Sequence, residues 1–114
     1  MTLIKSISGI RGTIGGRPGD SLSPADIVKF TAAYGTWIIR RGCYPITTIV
    51  VGRDARTTGS MVSGIVICTL QSLGINTIEI GLATTPTVEI AVTGTSSSGG
   101  IIITASHNPA NWNA

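Results

Sequence analysis

The 114-residue sequence has little charge, few aromatic side chains, two cysteines and one histidine. Charged residues make up 11% of the chain and the formal net charge is +3, so the sequence lacks the basic stripe typical of nucleic-acid binding. Cys43 and Cys68 have neither the spacing of a metal site nor that of a redox pair. We expect both thiols to be reduced, and Cys68 to be buried because it lies in an apolar helical stretch.

Long hydrophobic runs are missing as well. No uninterrupted apolar segment approaches the length of a membrane span, and the N-terminus has no apolar signal core. We therefore expect a cytoplasmic protein without a membrane partner. The hydrophobic content is nevertheless 42%, and the mean hydropathy is +0.40. A parallel sheet buried on both faces, or a domain that normally packs against neighbouring domains, accounts for such a composition, and we expect both.

Helix and strand signals alternate along the chain. Ser23 is a good N-cap for a helix that Gly42 ends. The aromatic side chains of this helix, Phe30, Tyr34 and Trp37, recur at helical spacing and are predicted to pack in the core. This helix is therefore expected to lie against a sheet.

The later segments continue the alternation and define the predicted fold. We expect strands at 46–51, 75–80 and 101–103, a helix at 59–73 capped by Thr57 or Thr58, a short helix at 85–92, and a flexible connection at 96–100. The helix at 59–73 is expected to turn inward Met61, Val62, Ile65, Val66, Thr69 and Leu73. These elements predict an α/β fold, a three-layer α/β/α sandwich with a mainly parallel, mixed sheet of about four strands. The first strand, within residues 3–8, or a hairpin there is expected to add an antiparallel edge.

The segment with the most chemistry follows the last predicted strand. Residues 104–109 read Thr-Ala-Ser-His-Asn-Pro and break the apolar run 101–103 into a loop. In open α/β sheets, ligands bind where the central strands end. There Ser106 can act as a nucleophile or phosphate carrier, and His107 can move a proton or bind a phosphate. The alternative from residue types alone is an ordinary tight turn.

Two other segments carry charge next to glycine. Residues 9–16 hold four glycines around Arg11, but they match neither a Walker loop nor G-x-G-x-x-G. These glycines predict either a hairpin or a backbone that closely approaches a phosphate. Without further information, Arg11 can also be a solvated charge in a loop. Arg53, Asp54 and Arg56 follow the predicted strand 46–51, either as an ion-pair cluster or as support behind the serine loop.

The order of these segments resembles the first domain of the α-D-phosphohexomutases, the phosphoglucomutase/phosphomannomutase superfamily. Residues 104–109 are similar to its T-A-S-H-N-P signature, and residues 8–12 to its S/D-G-I-R-G segment. Residues 51–56 are similar to V-G-R-D-x-R, and Thr85-Pro86 is similar to the T-P after the third strand of the family. The resemblance spans nearly the whole chain.

The resemblance implies a catalytic role for Ser106, His107 and Arg11. Ser106 is expected to carry a phosphoryl group, and Arg11, Gly12, Ser106, His107 and Asn108 to contact a phosphohexose substrate. Mg²⁺ is expected on the phosphate of Ser106, with its other ligands outside this chain. A hexose 1,6-bisphosphate is the implied activator and intermediate.

The resemblance also implies a single domain, residues 1–114, at the N-terminus of a larger multidomain enzyme. The D-G-D-x-D metal loop of the superfamily and the Lys of its N-G-x-K-like segment are absent from the sequence, and Ala114 stands where Gly is common. We expect the fragment to be inactive alone, with the remaining domains of the same polypeptide as its partners. The choice among glucose, mannose and glucosamine phosphates stays open.

Two other classes of function remain as alternatives. The chain can be a non-catalytic sugar-phosphate or nucleotide-binding α/β module that uses the glycines around Arg11, or a structural interaction domain. A serine hydrolase is disfavoured because the sequence has no G-x-S-x-G motif and only one histidine.

Overall fold

A computed structural model describes residues 4–6, 9–15, 21–42, 47–55, 58–95, 97–104 and 112–113. Strands and helices alternate through most of this part of the chain. In chain order the elements are β1 (Ile4–Ser6), β2 (Gly9–Thr13), α1 (Pro24–Arg41), β3 (Thr48–Arg53), α2 (Gly59–Ser72), β4 (Asn76–Leu82), α3 (Thr85–Gly94), β5 (Gly99–Ile103) and β6 (Trp112–Asn113).

The central sheet is parallel and has the strand order β4-β3-β5. Its middle strand is buried on both faces, since Ile49, Val50 and Val51 are each 0% exposed. This run of β-branched residues explains why β3 lies in the centre, because a parallel strand covered on both sides needs no polar face. The predicted α/β class with a mainly parallel sheet is confirmed.

The number and grouping of the strands differ from the prediction. The parallel sheet has three strands among the described residues, rather than about four. The N-terminal segment does form a hairpin, with β1 antiparallel to β2, but it does not extend the parallel sheet. Strand β2 instead pairs with β6 in a second, antiparallel sheet of order β1-β2-β6. The glycines at 9 and 12 therefore lie in a strand.

Helix α1 begins and ends where the sequence predicts. The Ser23 side chain accepts a hydrogen bond from the backbone N–H of Asp26, and the Asp26 carboxylate accepts one from the backbone N–H of Ser23. This reciprocal capping box provides hydrogen-bond acceptors for backbone N–H groups at the N-terminus of the helix, which have no acceptor within the helix itself. At the other end, Gly42 has an extended backbone with φ −63°. It ends the helix without the left-handed conformation that glycine caps usually supply.

Helices cover both faces of the parallel sheet, as the two adjacent glycines of β5 show. A β-carbon built on Gly99 would meet Tyr34 and Ile38 of α1, whereas one on Gly100 would meet Val88 and Val92 of α3. Successive residues of a strand point to opposite faces. Helix α1 therefore covers one face and α3 the other, which confirms the three-layer α/β/α arrangement.

The larger core lies between the sheet and the pair α1 and α2. Apolar residues from both helices, from the segment before α1 and from the sheet pack together there. Its buried members are Leu22, Ile27, Ile38, Ile49, Val51, Val62, Val66, Leu70, Ile75 and Ile103. Burial of this much apolar area is the main stabilising contribution of the fold.

Several predicted core positions are wrong. Trp37 is 50% exposed and stacks on Tyr34, with their ring centroids 6.2 Å apart. On α2, Met61 and Cys68 are exposed, while Leu70 is fully buried. The buried stripe of α2 runs through positions 59, 62, 66 and 70, so residues 61 and 68, seven positions apart, share the outward face.

The region around β4 and α3 also differs in detail. Gly81 has φ +67° beside a register shift between β3 and β4, a backbone conformation that favours glycine. Thr84 is the N-cap of α3. The expected flexible connection at 96–100 is shorter, because Gly99 and Gly100 belong to β5. None of the helices in the described ranges is both long enough and apolar enough to cross a membrane.

Candidate functional site

The carboxyl ends of the parallel strands are joined by backbone hydrogen bonds. The N–H of Asp54, directly after β3, donates to the carbonyl of Ile103 at the end of β5, at 3.0 Å. The N–H of Ala83, directly after β4, donates to the carbonyl of Arg53 at 2.9 Å. The three strands therefore end at one edge of the sheet, which is the usual location of ligand sites in open α/β sheets.

A side-chain hydrogen bond at this edge links two of the sequence motifs. The hydroxyl of Thr104 donates to Oδ2 of Asp54 at 2.7 Å. Both residues are half-buried. A hydrogen bond to a carboxylate is shorter and stronger than one between neutral groups. The first residue of the Thr-Ala-Ser-His-Asn-Pro segment is thus fastened to the strand end that carries Asp54.

A second pair of contacts fastens the chain on the far side of the same segment. Strand β6 pairs with β2, with Asn113 opposite Gly12 and Trp112 opposite Thr13. The side chain of Asn113, which is 0% exposed, donates from Nδ2 to the hydroxyl of Thr58 at 2.8 Å. Thr58 precedes α2, so β6 is attached both to β2 and to the start of that helix.

This contact explains why Thr58 does not cap α2 through its side chain. It occupies the N-cap position as predicted, but its backbone is helical, with φ −83° and ψ −6°, and its side chain makes no capping hydrogen bond. The hydroxyl instead accepts a hydrogen bond from a buried amide, which is costly to leave without a partner. Thr58, which the local sequence predicts to cap α2 with its side chain, instead makes a long-range hydrogen bond with Asn113.

Gly12, one of the predicted substrate-contacting residues, has a packing reason to be glycine. It is buried, and a β-carbon there would lie 2.8 Å from the backbone nitrogen of Leu22. A backbone atom cannot rotate away as a side chain can, so any larger residue would displace the strand. The close approach holds β2 against the segment that leads into α1.

The other predicted site residues are described only in part. Arg11 lies in β2, beside Gly12, and the structure describes its backbone there. Ser106, His107 and Asn108 lie outside the described residues. The structure describes the residues on either side of them, where Thr104 contacts Asp54 and the strand β6 pairs with β2.

The alternatives for the charged cluster after β3 can now be compared. The Asp54 carboxylate binds the hydroxyl of Thr104, a contact that agrees with support of the serine segment and that an ion-pair cluster would also allow. The half-buried side chain of Arg53 runs toward the start of α2, where a β-carbon on Gly59 would lie 3.5 Å from its Cδ and Nη1. Arg56 lies outside the described residues.

Two residues of this edge, Thr58 and Asn113, are absent from the sequence-based site. The hydrogen bond between them joins positions 55 apart, so no local pattern reports it. Asn113 follows the signature closely, but only its complete burial shows that it is a structural amide rather than a solvated one.

The described residues do not form a magnesium site. No group of three His, Cys, Asp or Glu side chains in this part of the chain is arranged to hold a metal ion. The carboxylate of Asp54 accepts a hydrogen bond from the hydroxyl of Thr104. The expectation that the protein ligands of Mg²⁺ lie outside this chain therefore stays a prediction.

The architecture defines a class of protein, an α/β/α domain whose polar contacts gather at the carboxyl edge of its parallel sheet. Residues 3–114 match the family described as phosphoglucomutase/phosphomannomutase, alpha/beta/alpha domain I. The chain belongs to this family, which confirms the resemblance inferred from the motifs.

Relatives and a solved structure agree with this assignment. The chain is 38% identical over 104 residues to a phosphoglucomutase/phosphomannomutase of Thermococcus kodakarensis, covering 90% of this chain and 23% of the relative. It is 37% identical over 105 residues to a phosphoglucosamine/phosphogalactosamine mutase of Sulfurisphaera tokodaii, covering 92% and 21%. A crystal structure of a phosphoglucomutase/phosphomannomutase family protein from Burkholderia thailandensis has a TM-score of 0.77 and 27% identity, covering 91% and 23%. The chain thus spans about a fifth of the length of these proteins.

Proposed function

We propose that this chain is the phosphoserine-bearing first domain of a phosphohexomutase that interconverts hexose 1-phosphates and 6-phosphates. Family membership over residues 3–114 and relatives named as mutases support this proposal. Since the chain spans about a fifth of those relatives, the proposal includes further domains of the same polypeptide. The isolated fragment is then expected to be inactive.

The observation that carries the proposal is the hydrogen bond between Thr104 and Asp54 at the carboxyl edge. It joins the start of the signature segment to the end of the strand that carries the second motif. The pairing of Gly12 with Asn113 brings the third motif to the strand that follows the same segment. The segments that carry the other two motifs therefore contact the residues on either side of 105–111, which supports the proposal of a shared site.

The proposed reaction transfers one phosphoryl group in each direction. The free hydroxyl oxygen of a hexose monophosphate attacks the phosphorus on Ser106, a new P–O bond forms to the sugar, and the bond to Ser106 Oγ breaks. The hydroxyl proton is lost from the sugar and Ser106 regains one, which gives a hexose bisphosphate and a free serine. The bisphosphate then returns its other phosphoryl group to Ser106, leaving the isomeric monophosphate.

The proposed roles follow from the charge of the transferring group. Phosphoryl transfer needs the negative charge neutralised and the two oxygens held in line. A guanidinium from Arg11 supplies bidentate donors, and His107 supplies a donor or a proton carrier. Gly12 and Asn108 are proposed to contact the substrate. When bound, Mg²⁺ would supply further charge neutralisation, with its protein ligands outside this chain. The cytoplasmic location of the protein stays a prediction.

A mutase assay of the full-length natural polypeptide tests the proposal. Glucose 1-phosphate, mannose 1-phosphate and glucosamine 1-phosphate are each supplied with Mg²⁺ and a trace of the matching 1,6-bisphosphate. We expect 6-phosphate to form from at least one of them, and Ser106→Ala to abolish it. Binding of a sugar phosphate without turnover, unchanged by Ser106→Ala, would favour the non-catalytic binding module instead.

A further inference from the structure

Two side-chain hydrogen bonds flank the segment 105–111. On one side Thr104 donates to Asp54 at 2.7 Å, and on the other Asn113 donates to Thr58 at 2.8 Å. Both acceptors belong to the connection between β3 and α2, which is only a few residues long. The chain therefore leaves this connection at Thr104 and returns to it at Asn113.

We propose that Asp54 and Thr58 are positioning residues, which hold the two ends of the segment that carries Ser106 and so set the place of its hydroxyl. This inference rests on the proposed function, because it concerns the geometry of phosphoryl transfer. Neither residue is assigned to the chemistry itself. Both act through their partners, Thr104 and Asn113.

The first contact is well suited to fixing a position. The Asp54 N–H donates to the carbonyl of Ile103, and the Asp54 carboxylate accepts from the next residue, Thr104. Asp54 thus binds both the backbone of Ile103 and the side chain of Thr104, at the end of β5. Ser106 is two residues further along, so little chain length separates it from this fixed point.

The second contact, between Asn113 and Thr58, involves a buried side chain. Asn113 is fully buried, so its amide must keep its partners in any arrangement of the segment. Its strand also pairs with Gly12, where packing against Leu22 leaves no space for a β-carbon. The far end is therefore fixed by backbone pairing, by a buried amide and by close packing.

The test compares Thr104→Val with Thr104→Ser in the full-length natural polypeptide. Valine keeps the branched shape but cannot donate to Asp54, whereas serine keeps the hydroxyl. We expect Thr104→Val to lower kcat by about 10- to 100-fold with KM changed less than about 3-fold, since misplacement of a reacting group acts mainly on the transition state. Thr104→Ser is expected to stay within about 3-fold of the wild-type kcat.

Hydrogen exchange gives a readout that does not depend on activity. In Thr104→Val and in Thr58→Val we expect the amides of residues 105–111 to exchange at least about 10-fold faster, with those of α1 unchanged. Asp54→Asn, which keeps an oxygen acceptor, is expected to give an intermediate effect. Thr93→Val is the matched control, because it removes a hydroxyl hydrogen bond on α3, to the carbonyl of Glu89, and should leave both readouts unchanged.

The outcomes separate this inference from the proposed function. A wild-type kcat and unchanged exchange in Thr104→Val would overturn the positioning role, as would faster exchange spread evenly over the whole chain. If the wild-type polypeptide has no mutase activity, the proposed function fails, and faster exchange confined to 105–111 still supports the positioning role. Equal loss of kcat in Thr104→Ser and Thr104→Val would contradict it.

Discussion

The two faces of the parallel sheet are covered in different ways. On one face α1 and α2 pack in a cluster of large buried side chains, which includes Leu70 of α2 and Ile75 just before β4, at 0% and 2% exposure. On the other face a single helix, α3, buries mainly Val88 and lies close over glycines of β3 and β5. Ile90 of this helix is 73% exposed.

The difference shows two routes to a packed interior. The α1/α2 face gains stability mainly from interdigitated apolar side chains, with close approaches at Gly35 and Gly99 as well, while the α3 face has few buried side chains and depends on close contact at Gly52 and Gly100. Removing side-chain atoms should therefore lower the free energy of unfolding most on the α1/α2 face, and adding atoms should lower it on the α3 face. Four substitution experiments test this comparison.

The largest effect is expected from Leu70→Ala. This side chain is fully buried between α2, α1 and the sheet, so its truncation should lower the free energy of unfolding by about 3 kcal/mol. Ile90→Ala, on the exposed side of α3, is the matched control and should change it by less than about 0.5 kcal/mol. Urea denaturation of both variants provides the measurement. Equal losses would mean that the two faces do not differ as described.

An added methyl group should act on the opposite face. A β-carbon on Gly100 would lie 2.7 Å from Val92 Cγ2 and 2.9 Å from Val88 Cγ1, and valine side chains have little freedom to move aside. Gly100→Ala should therefore cost about 1–3 kcal/mol. Gly64→Ala, where nothing lies within 4 Å on α2, should instead stabilise by about 0.5–1 kcal/mol. A neutral Gly100→Ala in thermal unfolding would contradict the close approach.

The helix caps on the two faces should differ by a smaller amount. Ser23 is buried before α1 and donates its hydroxyl to Asp26 at 2.5 Å, so Ser23→Ala should cost about 1–2 kcal/mol. Thr84 caps α3 in an exposed position, where its hydroxyl accepts from the N–H of Thr87, and Thr84→Ala should cost about 0.5 kcal/mol. Denaturation midpoints measure both changes. A larger loss at Thr84 would reverse the expected order.

The smallest effect concerns the phenol of Tyr34 on the α1 side. Burial raises the pKa of Tyr34 above its usual value of 10.0, against a lowering contribution from the positive charge of Arg41. Because the unfolded chain ionises first as the pH rises, this contribution to stability is present below about pH 10 and is lost above it. We expect Tyr34→Phe to flatten the fall of the unfolding temperature between about pH 9 and pH 11. The same fall in both proteins would refute this role.

The sequence predicts where helices and strands lie better than it predicts which side of each helix faces the core. The start of α1 follows from Ser23 and Asp26, because capping is a local interaction between residues three apart. The exposure of Trp37 and Cys68 could not be predicted in the same way, since the angle at which a helix meets its neighbours is set by tertiary packing. The class of fold and the family are confirmed by the structure and the comparisons.

The candidate site could be predicted only in outline. The motifs at Asp54 and Thr104 were recognisable because each follows a predicted strand, and parallel strands end at one edge. The contact between Thr58 and Asn113 links distant positions and has no local signal. The roles of Arg11, Gly12, Ser106, His107 and Asn108 remain predictions, because they depend on a substrate and on chemistry rather than on packing.

Phosphopeptide mapping of the full-length natural polypeptide tests the central claim most directly. The intact mass and the peptide containing Ser106 are measured before and after incubation with a hexose 1,6-bisphosphate and Mg²⁺, with Ser106→Ala alongside. The proposed function predicts one phosphate on Ser106, which exchanges with labelled substrate and is absent from the variant. A polypeptide that never carries phosphate on Ser106 under these conditions would contradict the assignment as a phosphoserine mutase domain.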